Sequence, residues 1–532
     1  MLLLFVKGAR EMKSCRTILE INTRLWLQRL GKGKTVSLGD VGAEHFDRWQ
    51  SRCVEAIWLM GIWKPSPASR EIARTHEGLK GDYSAVLPDW TPDDVVASPY
   101  ALIGYEVNPE LGGEEGLKKF RENLHARGIK LILDFVPSHT ACDHPWIKSH
   151  PEYYVQGTEE DLRRDPVTWF GVETEQGPKV IAHGRDPYFP AWSDTAQPDM
   201  RKLDTQLAVA NELLSVASRC DGVRCDMAML VLSHIFTKTW GGDMREFWPN
   251  AIRQVREKYP EFILIAEVYW GLDLELNEMG FDYTYDKDPV DWATGPTGFS
   301  RVQFDYDEAK HRRRVRFLEN HDEERIASRL SFLPHRAAAT WVFTLPSANL
   351  FYQGQFSGAK LKAPVQLNRM PHEKHDPQIA EFYDVLMPIV AHEARKNGSW
   401  KFLHPRQAWQ GNESHWQILS HAWDHDDRHL RVFVNWADYR SQCWVDLSFG
   451  NLQGKEVILR DMLSDKVYIR DGVELMMRGI YLDLEPWEAH AFDCEVRDAA
   501  AVTDESEHEH ESAMLRDARM VAERKPGEEH VR

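Results

Sequence analysis

The chain has 532 residues, 42% of them hydrophobic, with a formal net charge of -18. That length holds two or three domains around large cores. So acidic a chain repels phosphate backbones, which excludes a nucleic-acid binder and suits an uncharged substrate. Seven cysteines, at 15, 53, 142, 220, 225, 443 and 494, include no C-x-x-C pair. They imply reduced thiols in a cytoplasmic protein.

Met1 to Val6 is apolar but too short to cross a bilayer or to form a signal segment. Residues 1–14 are expected to be a frayed N-terminus, with Met12 an alternative start. From residue 15 short apolar runs alternate with helical stretches. Strands are expected at 17–22, 54–60, 129–134, 221–226, 262–267, 281–284, 315–319 and 348–352. Eight such runs predict an α/β fold, a (β/α)8 TIM barrel over residues 15–140 and 201–398. Glu115 to Arg127 carries Leu117, Phe120 and Leu124 at helical spacing and ends on Gly128, a residue suited to a helix C-terminus. Leu203 to Ala217 predicts a second helix with Leu203, Leu207, Ala210, Leu213, Leu214 and Ala217 on its inner face.

Residues 141–200 break this rhythm, with many Pro and Trp and no helical period, and predict an excursion domain over the barrel mouth after strand three. From 399 to 495 short runs such as Leu430-Arg-Val-Phe-Val and Ile480-Tyr-Leu-Asp-Leu predict a C-terminal antiparallel β-sandwich. Residues 496–532 are charged and predict a disordered tail. His508 and His510 within it are expected to be part of a solvated charge run rather than a metal site.

Four strings along the barrel carry acids where strands should stop: Asp134-Phe-Val-Pro-Ser-His139, Gly222-Val-Arg-Cys-Asp226, Ala266-Glu267-Val268 and Phe317-Leu-Glu-Asn-His-Asp322. Charged groups at strand ends are what a barrel mouth displays. Two carboxyls flanking a glycosidic bond suffice for hydrolysis with retention, provided their environments separate their pKa values. Arg224, two residues before Asp226 on a strand, shares its face and is expected to hold Asp226 ionised. Glu267, between Ala266 and Val268, is expected in an apolar setting that raises its pKa. Cys225 should point away, toward the helices. Structural ion pairs are the competing account of any single acid.

These strings resemble the four conserved regions of the α-amylase superfamily of glycoside hydrolases (family 13), over roughly residues 15 to 495. The resemblance implies Asp226 as nucleophile, Glu267 as general acid/base and Asp322 as transition-state stabiliser. It implies Arg224, His139, His321 and Tyr100 as substrate-binding residues and Asp134 as site support. Gln197-Pro-Asp-Met200 resembles a fifth region, and Pro346 to Gln355 the eighth-strand region. Three departures stand out. Ser138 replaces the Asn that in many members binds a structural calcium, and Arg201 takes the place of the acid that helps it. No metal or cofactor is therefore expected, with Arg201 substituting for the ion's charge. Met229-Leu230 replaces Lys-His, so these two either make the acceptor side apolar or are packed under the barrel rim. Trp270 and Trp192 are candidate sugar-stacking rings.

The expected function is a retaining glycosidase of α-glucans or maltooligosaccharides. The alternatives are a transglycosylase (maltosyltransferase-like or sucrose-phosphorylase-like) and a non-catalytic carbohydrate-binding relative. The expected partner is an α-glucan or oligosaccharide, with no nucleic acid and no membrane.

Overall fold

In the computed structural model, residues 16–31, 36–300, 303, 307–369 and 371–499 are described. Met1 to Cys15 and the tail from residue 500, with His508 and His510, lie outside them. Each of the eight apolar runs overlaps one strand: β1 Thr17–Asn22, β2 Ala56–Met60, β3 Lys130–Phe135, β4 Gly222–Cys225, β5 Ile263–Ala266, β6 Tyr283–Asp286, β7 Arg314–Arg316 and β8 Ala348–Tyr352; β3 and β6 end beyond the expected limit, and β7 begins and ends earlier. All neighbours pair in parallel, and β8 returns to β1, so the sheet closes into a barrel. Closure leaves no strand edge unpaired.

The strands are apolar on both faces because both are buried. Ile18, Trp58, Ile132, Ile265, Phe317 and Leu350 pack inside the barrel, while Leu19, Leu133, Val223, Cys225 and Leu264 pack outward in the large core shared with the helices. Gly222 is required by close approach: a Cβ there would stand 2.7 Å from both the Ile132 side chain and the Ile263 carbonyl. The register sets Arg224 of β4 beside Asp134 of β3, which brings two of the predicted site residues together before any loop is considered.

The helix Gly113–His125 buries Leu117, Phe120 and Leu124. It ends through Gly128 at φ 70, with the Ile129 amide donating to the Leu124 carbonyl at 3.0 Å. Leu203–Ala217 is a helix with the expected limits, but its inner face is different. Thr205, Val209, Ala210, Leu213, Val216 and Ala217 are buried, whereas Leu203 and Leu207 are 55% and 44% exposed. An apolar side chain is free to sit on a surface, and here the smaller Val and Ala residues fit against the barrel.

The excursion after β3 is not structureless. It holds the short helices Pro145–Ser149 and Glu159–Arg164, and a three-stranded antiparallel sheet of Gln156–Gly157, Trp169–Thr174 and Gly177–Ala182. Thr140–Ala141 pairs with Thr195–Ala196 where the chain leaves and re-enters the barrel. C-terminal to the barrel, a six-stranded and a three-stranded antiparallel sheet enclose a core that includes Ile418, Phe433, Val457, Leu482 and Phe492. The last strand, Ala489–Asp498, continues past Glu495 into sequence expected to be disordered. Trp423 and His421 of this unit bond Thr344 of a barrel helix at 2.9 Å each, joining the two.

Candidate active site

All eight predicted site residues lie at the C-terminal mouth of the barrel. Arg224, buried on β4, is at the centre. Its Nη1 is 2.7 Å from Asp226 Oδ1 and 3.5 Å from Asp134 Oδ1, and its Nη2 is 2.8 Å from Glu267 Oε2. Its guanidinium also lies 5.2 Å from the ring of Trp58 and 5.1 Å from that of Tyr100. Burial alone would lower the Arg224 pKa, but Glu267, Tyr100, Tyr285 and Asp226 together raise it, so the cation is permanent.

This sharing corrects the expected electrostatics. Burial raises the Asp226 carboxyl, and Arg224 opposes that rise without reversing it. Arg224 does not hold Asp226 low because burial, joined by the charge of Asp322, outweighs it. Glu267 is not in an apolar setting either. Besides Arg224, it accepts from the Met227 amide at 2.6 Å and the Tyr269 hydroxyl at 3.0 Å. Its pKa still climbs to about 7, because burial and the charges of Asp226 and Asp322 outweigh Arg224. Asp134 is likewise raised to about 7 by burial.

Asp322 and His321 follow β7 at the open side of the site. The Asp322 side chain is 47% exposed, and its Oδ2 is 3.0 Å from His321 Nε2. Desolvation raises this carboxyl, but the charge of His321 and its hydrogen bond prevail and hold it below the usual range. On its other side His321 Nδ1 is 2.6 Å from Glu20 Oε1. Burial would lower His321; flanked by Asp322 and Glu20, it is instead raised well above its ordinary value. Tyr100 stacks on His321 at 5.4 Å, with its hydroxyl 2.7 Å from Nε2. His139, 2.9 Å from Ser138 Oγ, hydrogen-bonds the Tyr100 backbone and packs against Trp192 at 5.2 Å. Burial lowers its pKa to about 4, so it is a neutral ring.

Three residues were missed in the sequence. Glu20, fully buried on β1, was signalled by an acid inside the apolar run Thr17-Ile-Leu-Glu-Ile. Tyr269 had no signal beyond its place after Glu267. The Met227 amide reaches Glu267 because Met227 takes φ 41, which no local sequence feature announces. Cys225 points outward into the main core, as expected. Met229 and Leu230 are buried in that core. They are packed, as one of the two expected alternatives has it.

The residues at the supposed calcium position do not fit that ion. A hard cation collects six to eight oxygens. Here Ser138 Oγ is engaged with His139, and both Asp199 oxygens accept from Arg201, at 2.7 and 3.0 Å. Arg201 also donates to the Trp240 carbonyl at 3.1 Å, so it ties the end of the excursion to the segment after β4.

Residues 54–402 match the family model described as "Alpha amylase, catalytic domain". An alpha-amylase of Haloarcula japonica is 27% identical over 270 residues, which is 48% of this chain and 36% of the relative. An alpha-1,4-glucan:maltose-1-phosphate maltosyltransferase of Salinibacter ruber is 25% identical over 266 residues, 46% of this chain and 33% of the relative. A trehalose synthase of a Pimelobacter species is 27% identical over 206 residues, 35% of either chain. The chain thus spans about a third of the length of these relatives. A noncanonic maltogenic alpha-amylase from Thermotoga neapolitana has a similar fold, with TM-score 0.62 and 18% identity over 90% of this chain and 98% of that one. An alpha-amylase from Lactobacillus plantarum gives 0.62 and 19% over 91% and 99%.

Proposed function

The chain belongs to the α-amylase family of catalytic domains, and from that premise we propose that it is a retaining glycosidase of α-glucans or maltooligosaccharides. One observation carries the reading: Asp226 and Glu267 pair with the two terminal nitrogens of the same guanidinium, at 2.7 and 2.8 Å. Side-by-side pairing is consistent with the spacing of about 5 Å that double displacement uses. Asp226 attacks the anomeric carbon and forms the glycosyl ester. Glu267, raised to about 7, protonates the departing oxygen and then takes the proton of the incoming water. Asp322, kept ionised by His321, stabilises the oxocarbenium charge. His321, His139 and Tyr100 bind the sugar whose bond is cut, and Asp134 supports Arg224.

No metal is needed for these steps. No helix among the described residues is long and apolar enough to cross a membrane. The six described cysteines form no disulfide with one another, which supports a reducing, cytoplasmic setting. A transglycosylase would use the same ester with a sugar hydroxyl as acceptor, and relatives named as a maltosyltransferase and a trehalose synthase favour keeping that second reading. All three acids are present, which disfavours a non-catalytic relative.

The test is a product profile on maltoheptaose, trehalose, sucrose and pullulan, with the anomer followed by NMR. Hydrolysis with an α-configured first product supports the proposal. A β-configured first product, or no cleavage of any α-glucoside, refutes it. Oligosaccharides longer than the substrate would favour the transferase.

A further inference from the structure

The C-terminal unit carries an apolar surface that the active site does not use. The strand Val467–Asp471 is an edge of the six-stranded sheet. It runs without a loop into the helix Gly472–Arg478, which Asp471 caps by accepting from the Glu474 amide at 2.8 Å. Leu475 anchors that helix in the core of the unit. Val473, Met476 and Met477 stand at spacings of three and four and so share a face. They are 40%, 43% and 76% exposed. Val467 and Ile469 on the strand are exposed as well. One exposed apolar side chain is ordinary, whereas a row of them on adjoining elements marks a docking surface.

The end of the described chain reaches the same helix. Both touch the turn from Leu452 to Lys455. The Ala499 amide donates to the Gly454 carbonyl at 3.0 Å, and the Leu452 amide donates to the Met476 sulfur at 3.2 Å. A Cβ on Gly472 would stand 2.3 Å from the Leu452 carbonyl oxygen and 2.6 Å from that of Lys455. Residues 500–532 therefore leave the fold one turn away from Met476. They lie outside the described residues, but their sequence is not uniform. Residues 500–512 are acidic, with Asp504, Glu505, Glu507, Glu509 and Glu511. Residues 513–524 place Met514, Leu515, Ala518, Val521 and Ala522 on one helical stripe. Ser512 stands where such a helix would be capped, and Pro526-Gly527 where it would stop.

We propose that residues 513–524 form an amphipathic helix whose apolar stripe docks on Val473, Met476 and Met477. Residues 500–512, extended, reach up to about 40 Å, far more than the turn between Ala499 and Met476 requires. The tether turns a contact too weak between separate molecules into an internal one, at roughly millimolar effective concentration. Charge selects the tail over a second copy of the chain. Two copies, each of net charge -18, repel one another. The segment itself is basic, with Arg516, Arg519, Arg524 and Lys525 against Asp517 and Glu523, while Asp471 and Glu474 border the docking face.

The experiment is limited tryptic cleavage of the folded full chain after Arg519, timed by mass spectrometry. Met477→Glu changes the face and Met514→Glu changes the stripe; neither lies beside the cleaved bond. The expected result is cleavage about tenfold faster in each variant than in the parent, because local opening limits the rate. Met477→Leu should cleave as slowly as the parent. An unchanged thermal unfolding midpoint checks that Met477→Glu is still folded. Equal rates in the parent and either Glu variant would overturn the proposal. Slow cleavage that depends on protein concentration, with a dimer in light scattering, would also overturn it and give the face to a second copy.

Discussion

At the strand ends of the cleft, Arg224 alone contacts Asp134, Asp226 and Glu267, and His321 joins Glu20 to Asp322. Away from the strand ends, Tyr188 and Trp270 come from two loops and Lys238 from the helix Ser233–Trp240, and two rings are left in solvent. The first side is held by ion pairs and hydrogen bonds among its own buried groups and rests on paired backbone. The second is held by ring contacts, one turn and one ammonium group. A rigid, buried charge array suits chemistry that must not vary, whereas an open aromatic surface on loops suits recognition that varies with substrate.

Substitutions on the strand side should separate the two most sharply. Asp226→Asn or Glu267→Gln should lower kcat on any α-glucoside by on the order of 10⁴-fold, measured by initial rates. Near-parental turnover in either would undo the assignment of roles. Arg224→Met leaves three buried carboxyls without their counter-charge. Breaking a buried pair costs about 3–5 kcal/mol, so urea unfolding should show a loss of that order. A loss no larger than that of Tyr188→Ala would erase the contrast between the two sides.

A smaller effect is expected in the pH profile. Glu267 donates only while protonated, so kcat/KM should fall as pH rises through about 7. Glu20→Gln removes one of the two acids that keep His321 charged. His321 then releases its proton at lower pH, and the alkaline limb should move to the acid side. Tyr188→Ala should leave that limb in place. The smallest effect expected is none: dialysis against EDTA should change neither activity nor thermal unfolding, whereas Arg201→Ala should cost about 2 kcal/mol by leaving buried Asp199 short of donors. Activity lost on chelation and restored by calcium would overturn that.

The strand side was also the legible side. Acids at the ends of apolar runs contradict their surroundings, and a strand fixes which neighbours share a face, so Asp134, Arg224, Asp226, Glu267 and Asp322 could be placed from local sequence. Glu20 was missed because one acid inside a run is easily taken for an irregularity. The loop side depends on contacts between positions 186–189, 238 and 270, and no short-range pattern records such pairings. Leu203 and Leu207 failed for a related reason. Helical period locates a stripe, but which edge of the stripe turns inward is decided by the barrel it meets.

The Arg201–Asp199 pair also bears on where such an enzyme can work. A lobe fastened by a divalent ion is only as complete as the surrounding ion supply allows, since occupancy follows mass action. Citrate or dilution would loosen it. A guanidinium built into the chain has no dissociation equilibrium with the medium, so its local concentration is the same in calcium-poor and calcium-rich surroundings. The excursion of this chain, and the Tyr188 it carries, would stay docked at any concentration of free calcium.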